Sequence, residues 1–381
     1  MFDPRHGVTP ASLGTRSAPA SLGARLARRR PRWRRRVAAD APMETRKRGG
    51  TDCGSMTTHR EPLSSVLETI GETPLVRVHD SPDAVPVYAK LESFNPGASV
   101  KDRIGKYMLE RMLERGDVGE GGTVVEPTAG NTGIGIAVAA GQLGLNAVFV
   151  VPERFSVEKQ QLMRALGAEV INTPSEDGMG FAIDRAHEIA DELDDAVVPQ
   201  QFSNPLNAEA HYETTAPEVD EALDGEVGAV VAGCGTAGTL MGMARYFRER
   251  DPDTQVVAVE PTGSAYREFL GEKVEHEEYK TEGIGTHDID RNDLFDPDLV
   301  DDILAVPDRE VHEEMGRLAA EEGQLVASSA AANAIASKRV ARDIRDGVID
   351  APHDTVATIF CDSSERYLSK GVYRSFEEWE G

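Results

Sequence analysis

The chain lacks the marks of a secreted, membrane-spanning or nucleic-acid-binding protein. Three cysteines in 381 residues, Cys53, Cys234 and Cys361, are too few and too scattered for a disulfide framework or a zinc site. A reduced, cytoplasmic, metal-free chain is expected, with each cysteine a small buried hydrophobe. No apolar run approaches the roughly 18 residues of a membrane-crossing helix. Lysine is scarce, nine against 32 arginines. Positive charge is scarce too, and unevenly placed. The net charge is −25, yet residues 1–55 hold 13 basic and 4 acidic side chains, leaving 28 basic against 62 acidic in the rest.

Two kinds of sequence are therefore joined. Residues 1–55 are rich in Arg, Ala, Pro and Ser, without the apolar centre of a secretory signal. A transit peptide and a nucleic-acid-binding arm are the alternatives to a disordered extension upstream of a start near Met56, outside the fold. The disordered extension is the reading adopted. The acidic, lysine-poor body argues against nucleic-acid binding and suggests a halophile's cytoplasm, where salt screens carboxylate repulsion. On that hypothesis the melting temperature falls on dialysis into low salt; a salt-independent one would refute it.

What is present is alternation. Strand-like "VPVYAKLE" (85–92), "TVVEP" (123–127), "NAVFVVP" (146–152) and "AEVINT" (168–173) are interleaved with helical segments at 101–116, 131–144, 156–167 and 180–194. Ser156 is placed as a helix cap. The pattern resumes with strands in "VGAVVAG", "QVVAVEP" and "TVATIF" (355–360) and helices after Gly238, from Asp308 and from Ser329. Apolar strands between helices predict α/β architecture with parallel sheets covered on both faces. Two such blocks, about 95–205 and 206–370, predict two lobes and a cleft.

Three strand-to-helix loops carry chemistry. "GCGTAGT" (233–239) opens a helix with small residues whose N–H groups and helix dipole suit an anion, although it is neither a dinucleotide fingerprint nor a Walker loop. "EPTAGNTG" (126–133) adds the amide of Asn131, and "SSAAANA" (328–334) leads a helix with two serines. Most lysines are solvated surface charges. Lys101, however, follows the turn sequence "NPGASV" at a helix start, where dipole and burial lower an ammonium pKa and favour imine formation. A phosphate-suited loop with an imine-forming lysine points to pyridoxal phosphate.

"LESFNPGASVKDRIGKYML", "VEPTAGNTGIGIA", "PQQFSNP", "GCGTAGT", "EEGQLVASSAAA" and "DSSERYLS" together, in order over nearly all of 62–370, resemble the cysteine synthase (O-acetylserine sulfhydrylase) and cystathionine β-synthase family. The resemblance implies a two-lobed fold-type II pyridoxal-phosphate enzyme with its site between lobes. Residues 95–205 would form the smaller lobe; 56–94 and 206–375 would form the larger, phosphate-binding one. Lys101 would hold the cofactor and act as base, and Asn131 would bond the ring hydroxyl. Gly235, Thr236, Ala237, Gly238 and Thr239 would cradle the phosphate. Ser328, or Ser329 one position on, would face the ring nitrogen. Thr128, Ala129, Gly130, Thr132 and Gln201, with Gln200 the lesser choice, would receive the substrate carboxylate. The implied reaction is β-replacement on O-acetylserine or O-phosphoserine with sulfide, through an aminoacrylate, giving L-cysteine. Alternatives are condensation of serine with homocysteine, β-elimination, and a silent member acting through a partner. A homodimer and a serine acetyltransferase partner are further implications. Ala129 stands where the family has Ser, Ala237 where it has Gly, and "TEGIGTH" (281–287) replaces a Gln-Gly-Ile-Gly-Ala-Gly run. These departures bear on substrate choice.

Overall fold

The computed structural model describes residues 62–78, 84–128, 130–153 and 155–379. The basic arm 1–55, Cys53, Met56 and Ala129 lie outside the described residues. Ten strands run β1 Leu75–Val78, β2 Val87–Leu91, β3 Thr123–Pro127, β4 Asn146–Pro152, β5 Glu169–Thr173, β6 Ala196–Val197, β7 Ala229–Gly233, β8 Gln255–Pro261, β9 Asp302–Val306 and β10 Val356–Phe360. The helices are α1 Lys101–Arg115, α2 Asn131–Leu143, α3 Val157–Ala165, α4 Gly178–Asp191, α5 Leu206–Ala210, α6 Ala216–Ala222, α7 Gly238–Arg250, α8 Asp308–Glu322 and α9 Ser328–Arg345. Among the described residues they make two sheets: a four-stranded one, β5-β4-β3-β6, and a six-stranded one, β1-β2-β10-β7-β8-β9. The small sheet is parallel throughout. The large one departs from the all-parallel expectation only at its edge, where β1 pairs antiparallel with β2.

Continuous apolar strands fit because the large sheet is covered on both faces. Along β7, Ala229 and Val231 face a core with Val311 and Met315 of α8 and Val340 of α9. Val230 and Ala232 face the opposite core with Leu240, Met243 and Phe247 of α7. That two-residue alternation is the pleat itself. A third core joins Val124, Phe149 and Val151 of the small sheet to Ile104 and Met108 of α1 and Ile136 of α2. Ser156 caps α3 by accepting from Lys159 N at 3.3 Å.

The run 206–222 was not foreseen as helical, since Pro217 within it argues against a helix. Pro217 instead lies in the first turn of α6, after a wide π turn at His211–Thr215, where the missing N–H costs nothing. The short edge strands β1, β6 and β9 were also not read from the sequence.

Candidate active site

Lys101 is the first residue of α1, and three local features put it there. The turn before it closes with Ala98 N donating to Asn95 O at 2.7 Å. Gly97 N donates to the Asp102 carboxylate, and a Cβ at Gly97 would overlap that carboxylate at 2.3 Å. Val100 N donates to Cys361 O at 2.8 Å, and Ser99 bridges to Asp362, so the turn is docked on the exit of β10. Close helix packing finishes the placement: a Cβ on Gly135 of α2 would lie 2.4 Å from Lys101 O. Only glycine there lets α2 bring Asn131 beside the lysine.

The resulting cavity is lined by Lys101, Asn131 and the loop residues Gly235, Thr236, Ala237 and Thr239, and also by Ser329, Cys361, Asp362 and Tyr367. Burial, outweighing the nearby Cys361 and Asp362, lowers the Lys101 pKa. Burial likewise pushes the Cys361 thiol up to about 12, so it stays protonated. The loop at the start of α7 is held from behind. Asn207 Nδ2 donates to Thr236 Oγ1 at 3.0 Å, and His211 Nε2 lies 3.2 Å from Thr239 Oγ1. His211 is buried near Lys101 and Arg103; desolvation and those cations hold its pKa well below the ordinary value, so the imidazole is neutral. Tyr266 OH donates to Gly235 O at 2.8 Å. A Cβ at Gly235 would meet Gly283 O at 2.4 Å, and one at Gly238 would meet Asn207 Oδ1 at 2.1 Å, which explains both glycines. The 283–287 loop, flagged in the sequence, thus forms a wall of the cavity through Gly283 and Ile284.

Ala237 occupies left-handed backbone, φ 62°, as the cap of α7. An L-residue there costs roughly 1 kcal/mol relative to glycine. Ala237→Gly is therefore expected to raise stability by up to about 1 kcal/mol, less the flexibility glycine adds to the unfolded chain. Thermal melting checks this, and a lower melting temperature would show that the turn is unstrained.

Of the two serines, Ser329 lines the cavity and reaches the Cys361 thiol. The Ser328 hydroxyl accepts from Glu282 N at 3.0 Å. Thr132 Oγ1 donates to Gln201 Oε1 at 2.7 Å, bringing two expected carboxylate-binding residues together; Thr128 adds its Oγ1 to Gly130 N at 3.3 Å. Behind them Glu126 is buried, and desolvation, opposed by the Gln200 and Gln201 amides, lifts its pKa to about 7. Gln200 serves this structural role through its backbone, Gln200 N donating to Glu126 Oε2 at 3.3 Å. Residues the sequence did not single out are Asn207, His211, Asp362, Arg366 and Tyr367. Their only signal was membership in the "DSSERYLS" run for the last three.

The cavity suits a phosphorylated aldehyde. The start of α7 lines the same cavity as a desolvated amine. One buried acceptor of the lining, Asp362 Oδ1, has no partner among the described residues. Fold and site together define an α/β protein whose cavity sets a desolvated amine beside a helix start.

The family model described as pyridoxal-phosphate dependent enzyme matches residues 66–362. An O-acetylserine dependent cystathionine beta-synthase of Bacillus subtilis is 42% identical over 313 residues, 82% of this chain and 98% of that one. A Helicobacter pylori cysteine synthase is 41% identical over 315 residues, covering 82% and 99%. Among solved structures, the O-acetylserine dependent cystathionine beta-synthase of Helicobacter pylori superposes with TM-score 0.74 at 40% identity, covering 82% and 100%. The cysteine synthase of Entamoeba histolytica gives 0.76 at 32%, covering 85% and 94%. The chain belongs to the family of pyridoxal-phosphate dependent enzymes, and pyridoxal phosphate is its cofactor.

Proposed function

We propose that the chain catalyses β-replacement on O-acetylserine with sulfide, giving L-cysteine. The observation that carries this is the desolvated Lys101 sharing one cavity with the 235–239 loop. Relatives named cysteine synthase at about two-fifths identity along nearly their whole length support the substrate class. The cofactor supplies an aldehyde for the lysine and an electron sink for the pair left when the substrate's α-proton departs.

The chain's own residues do the rest. Backbone N–H groups of 235–239 and the dipole of α7 hold the phosphate. Asn131 would donate to the ring hydroxyl. Ser328, or Ser329 one position on, would face the ring nitrogen and, being neutral, would not hold a proton there as a carboxylate would, which weakens the sink and favours loss of the β-substituent. Lys101, released as an amine of lowered pKa, takes the α-proton. Thr128, Gly130, Thr132 and Gln201 orient the substrate carboxylate, and Ala129 in the same loop contributes no hydroxyl. O-phosphoserine is the alternative donor.

A second acceptor is favoured by the names of two relatives: homocysteine, which would give cystathionine. The test crosses O-acetylserine, O-phosphoserine and serine with sulfide and homocysteine, identifying products by mass. Cysteine from O-acetylserine and sulfide is the expected leading product. Keto acid without thiol incorporation would establish an eliminating lyase instead. We further propose a cytoplasmic homodimer, consistent with free thiols at Cys234 and Cys361, and a serine acetyltransferase docking at the cavity mouth. A one-chain mass by light scattering would remove the dimer, and co-elution with the acetyltransferase would test the complex.

A further inference from the structure

Asp362 lies at the floor of the cavity, 2% exposed, directly after β10. One carboxylate oxygen is fully used: Oδ2 accepts from Asn131 Nδ2 at 2.7 Å and from Tyr367 OH at 2.6 Å. The other, Oδ1, is buried without a partner among the described residues. A desolvated carboxylate oxygen left bare is costly unless a donor reaches it at some stage of the work the site does. Lys101 shares the cavity, and Asp362 is one of the two groups, after Cys361, whose charge opposes the desolvation that lowers the lysine pKa.

The opposite end of the Asn131 amide is held as well. Arg366 Nη1 donates to Asn131 Oδ1 at 2.9 Å, and Arg366 also donates to Gly97 O, beneath the turn that presents Lys101. With a cation on its oxygen and a carboxylate on its nitrogen, Asn131 has one amide orientation. That amide lines the cavity beside Tyr367.

We propose that Asp362 is a positioning residue that fixes Asn131 with its N–H toward the cofactor and, through its free Oδ1, receives the Lys101 ammonium once the lysine has taken the substrate's proton. This rests on Lys101 acting as the base, as proposed above. The balance is simple: the Cα–H bond breaks, an N–H bond forms on Lys101, the electron pair stays with the cofactor-bound substrate, and Asp362 itself gains no proton. The charged and titratable groups around Asp362 are Lys101 at the start of α1, Lys159 on α3, and Cys361, Arg366 and Tyr367 on its own segment. Burial raises the Asp362 pKa, and Tyr367, Lys159, Asn131 and Arg366 oppose that rise.

The test is an absorbance titration of holoenzyme against pH, which reads protonation at the nitrogen of Lys101, in wild type, Asp362→Asn and Tyr367→Phe. An anion beside that nitrogen favours its charged form, so Asp362→Asn is expected to lower the observed midpoint by at least about one pH unit. The alkaline limb of the kcat/KM profile should move with it. Tyr367→Phe removes one donor but keeps the anion, and should leave the midpoint where it is or raise it slightly. A midpoint unchanged in the fraction of Asp362→Asn that retains cofactor overturns the proposal. Should Asp362→Asn lose the cofactor altogether, a midpoint that falls in Tyr367→Phe overturns it instead. A wild-type protein that takes up no cofactor would fail the functional reading itself, a result distinct from either.

Discussion

Lys101→Ala is expected to yield a folded, colourless protein whose cysteine-forming rate is reduced by at least about a thousandfold. Among the described residues the side chain of Lys101 enters no ion pair or hydrogen bond, whereas its backbone is anchored by Ser99 Oγ at 3.3 Å and by the α2 contact at Gly135. Truncation therefore removes the amine without unmooring α1, and alanine is the best helix former at the vacated position. The sign of the stability effect follows from linkage. Desolvation lowers the folded-state pKa, so over the interval below the ordinary lysine value the unfolded chain binds more protons, and this residue's contribution to stability rises with pH. Removing it should leave the melting temperature unchanged or slightly raised, the trade expected of a desolvated catalytic group. Lys101→Arg separates charge from chemistry, because a guanidinium keeps the cation and forms no imine; it should be as inactive as alanine. Turnover and cofactor absorbance, measured beside a melting curve, check the prediction, and substantial turnover in either variant would refute the assignment.

What the sequence disclosed and what it withheld separate along physical lines. β3, β4 and β8 run Thr123–Pro127, Asn146–Pro152 and Gln255–Pro261, the limits read from their largely apolar runs, because a strand buried on both faces is mostly apolar, with Glu126 and Glu260 the buried exceptions. α1 ends at Gly116, whose backbone is left-handed with φ 77°, a stop legible from glycine alone. The phosphate loop and Lys101 were legible for the same reason: each is contiguous in sequence. The choice between Ser328 and Ser329 was not. Neighbours on a helix point about 100° apart, and only the packing of α9 decides which faces the cavity. Nor were the supporting pairs. Asn131 and Asp362 are 231 positions apart, and Asn207 and Thr236 come from separate helical and loop segments. Such contacts exist only after the chain has folded. Ala237 is the inverse case: the sequence marked it as unusual, and the left-handed φ supplies the reason that glycine is the more comfortable occupant.

The largest stability loss is expected at Arg103, two residues beyond Lys101. Arg103 is 2% exposed and forks onto two carboxylates. Its Nε and Nη2 donate to Glu92 at 2.7 and 2.8 Å, and Nη1 and Nη2 donate to Glu218 at 2.7 and 2.8 Å. Lys90 Nζ completes the group at 2.7 Å from Glu218. Two buried cations balance two carboxylates, and Thr73 Oγ1 donates to Glu92 at 2.7 Å. Burial would raise the Glu218 pKa, but Arg103 and Lys90 outweigh it and hold it at about 2. Arg103→Met strips the shared cation and leaves Glu92, fully buried, without its charge partner. Losing one member of such a group costs about 3–5 kcal/mol, a melting shift of roughly 4–8 °C for a folded part of this size. Arg103→Lys recovers only part, since an ammonium cannot fork onto both carboxylates. The pH dependence carries a second signature. A carboxylate with a depressed folded pKa contributes stability that is complete above its ordinary value and is lost as pH falls toward 2. Wild type should therefore lose stability steadily over that acid interval, while Arg103→Met should lose less there, keeping only the share that Lys90 supplies. Equal acid slopes in the two proteins would show that the network is not what depresses Glu218. Because Arg103 lies in the first turn of α1, its loss should also loosen the seat of Lys101, lowering kcat while the cofactor still binds. The run Lys101-Asp102-Arg103 thus divides its labour: the lysine presents the amine proposed to react, the aspartate closes the turn on Gly97, and the arginine bolts the helix start to Glu92, just after β2, and to α6.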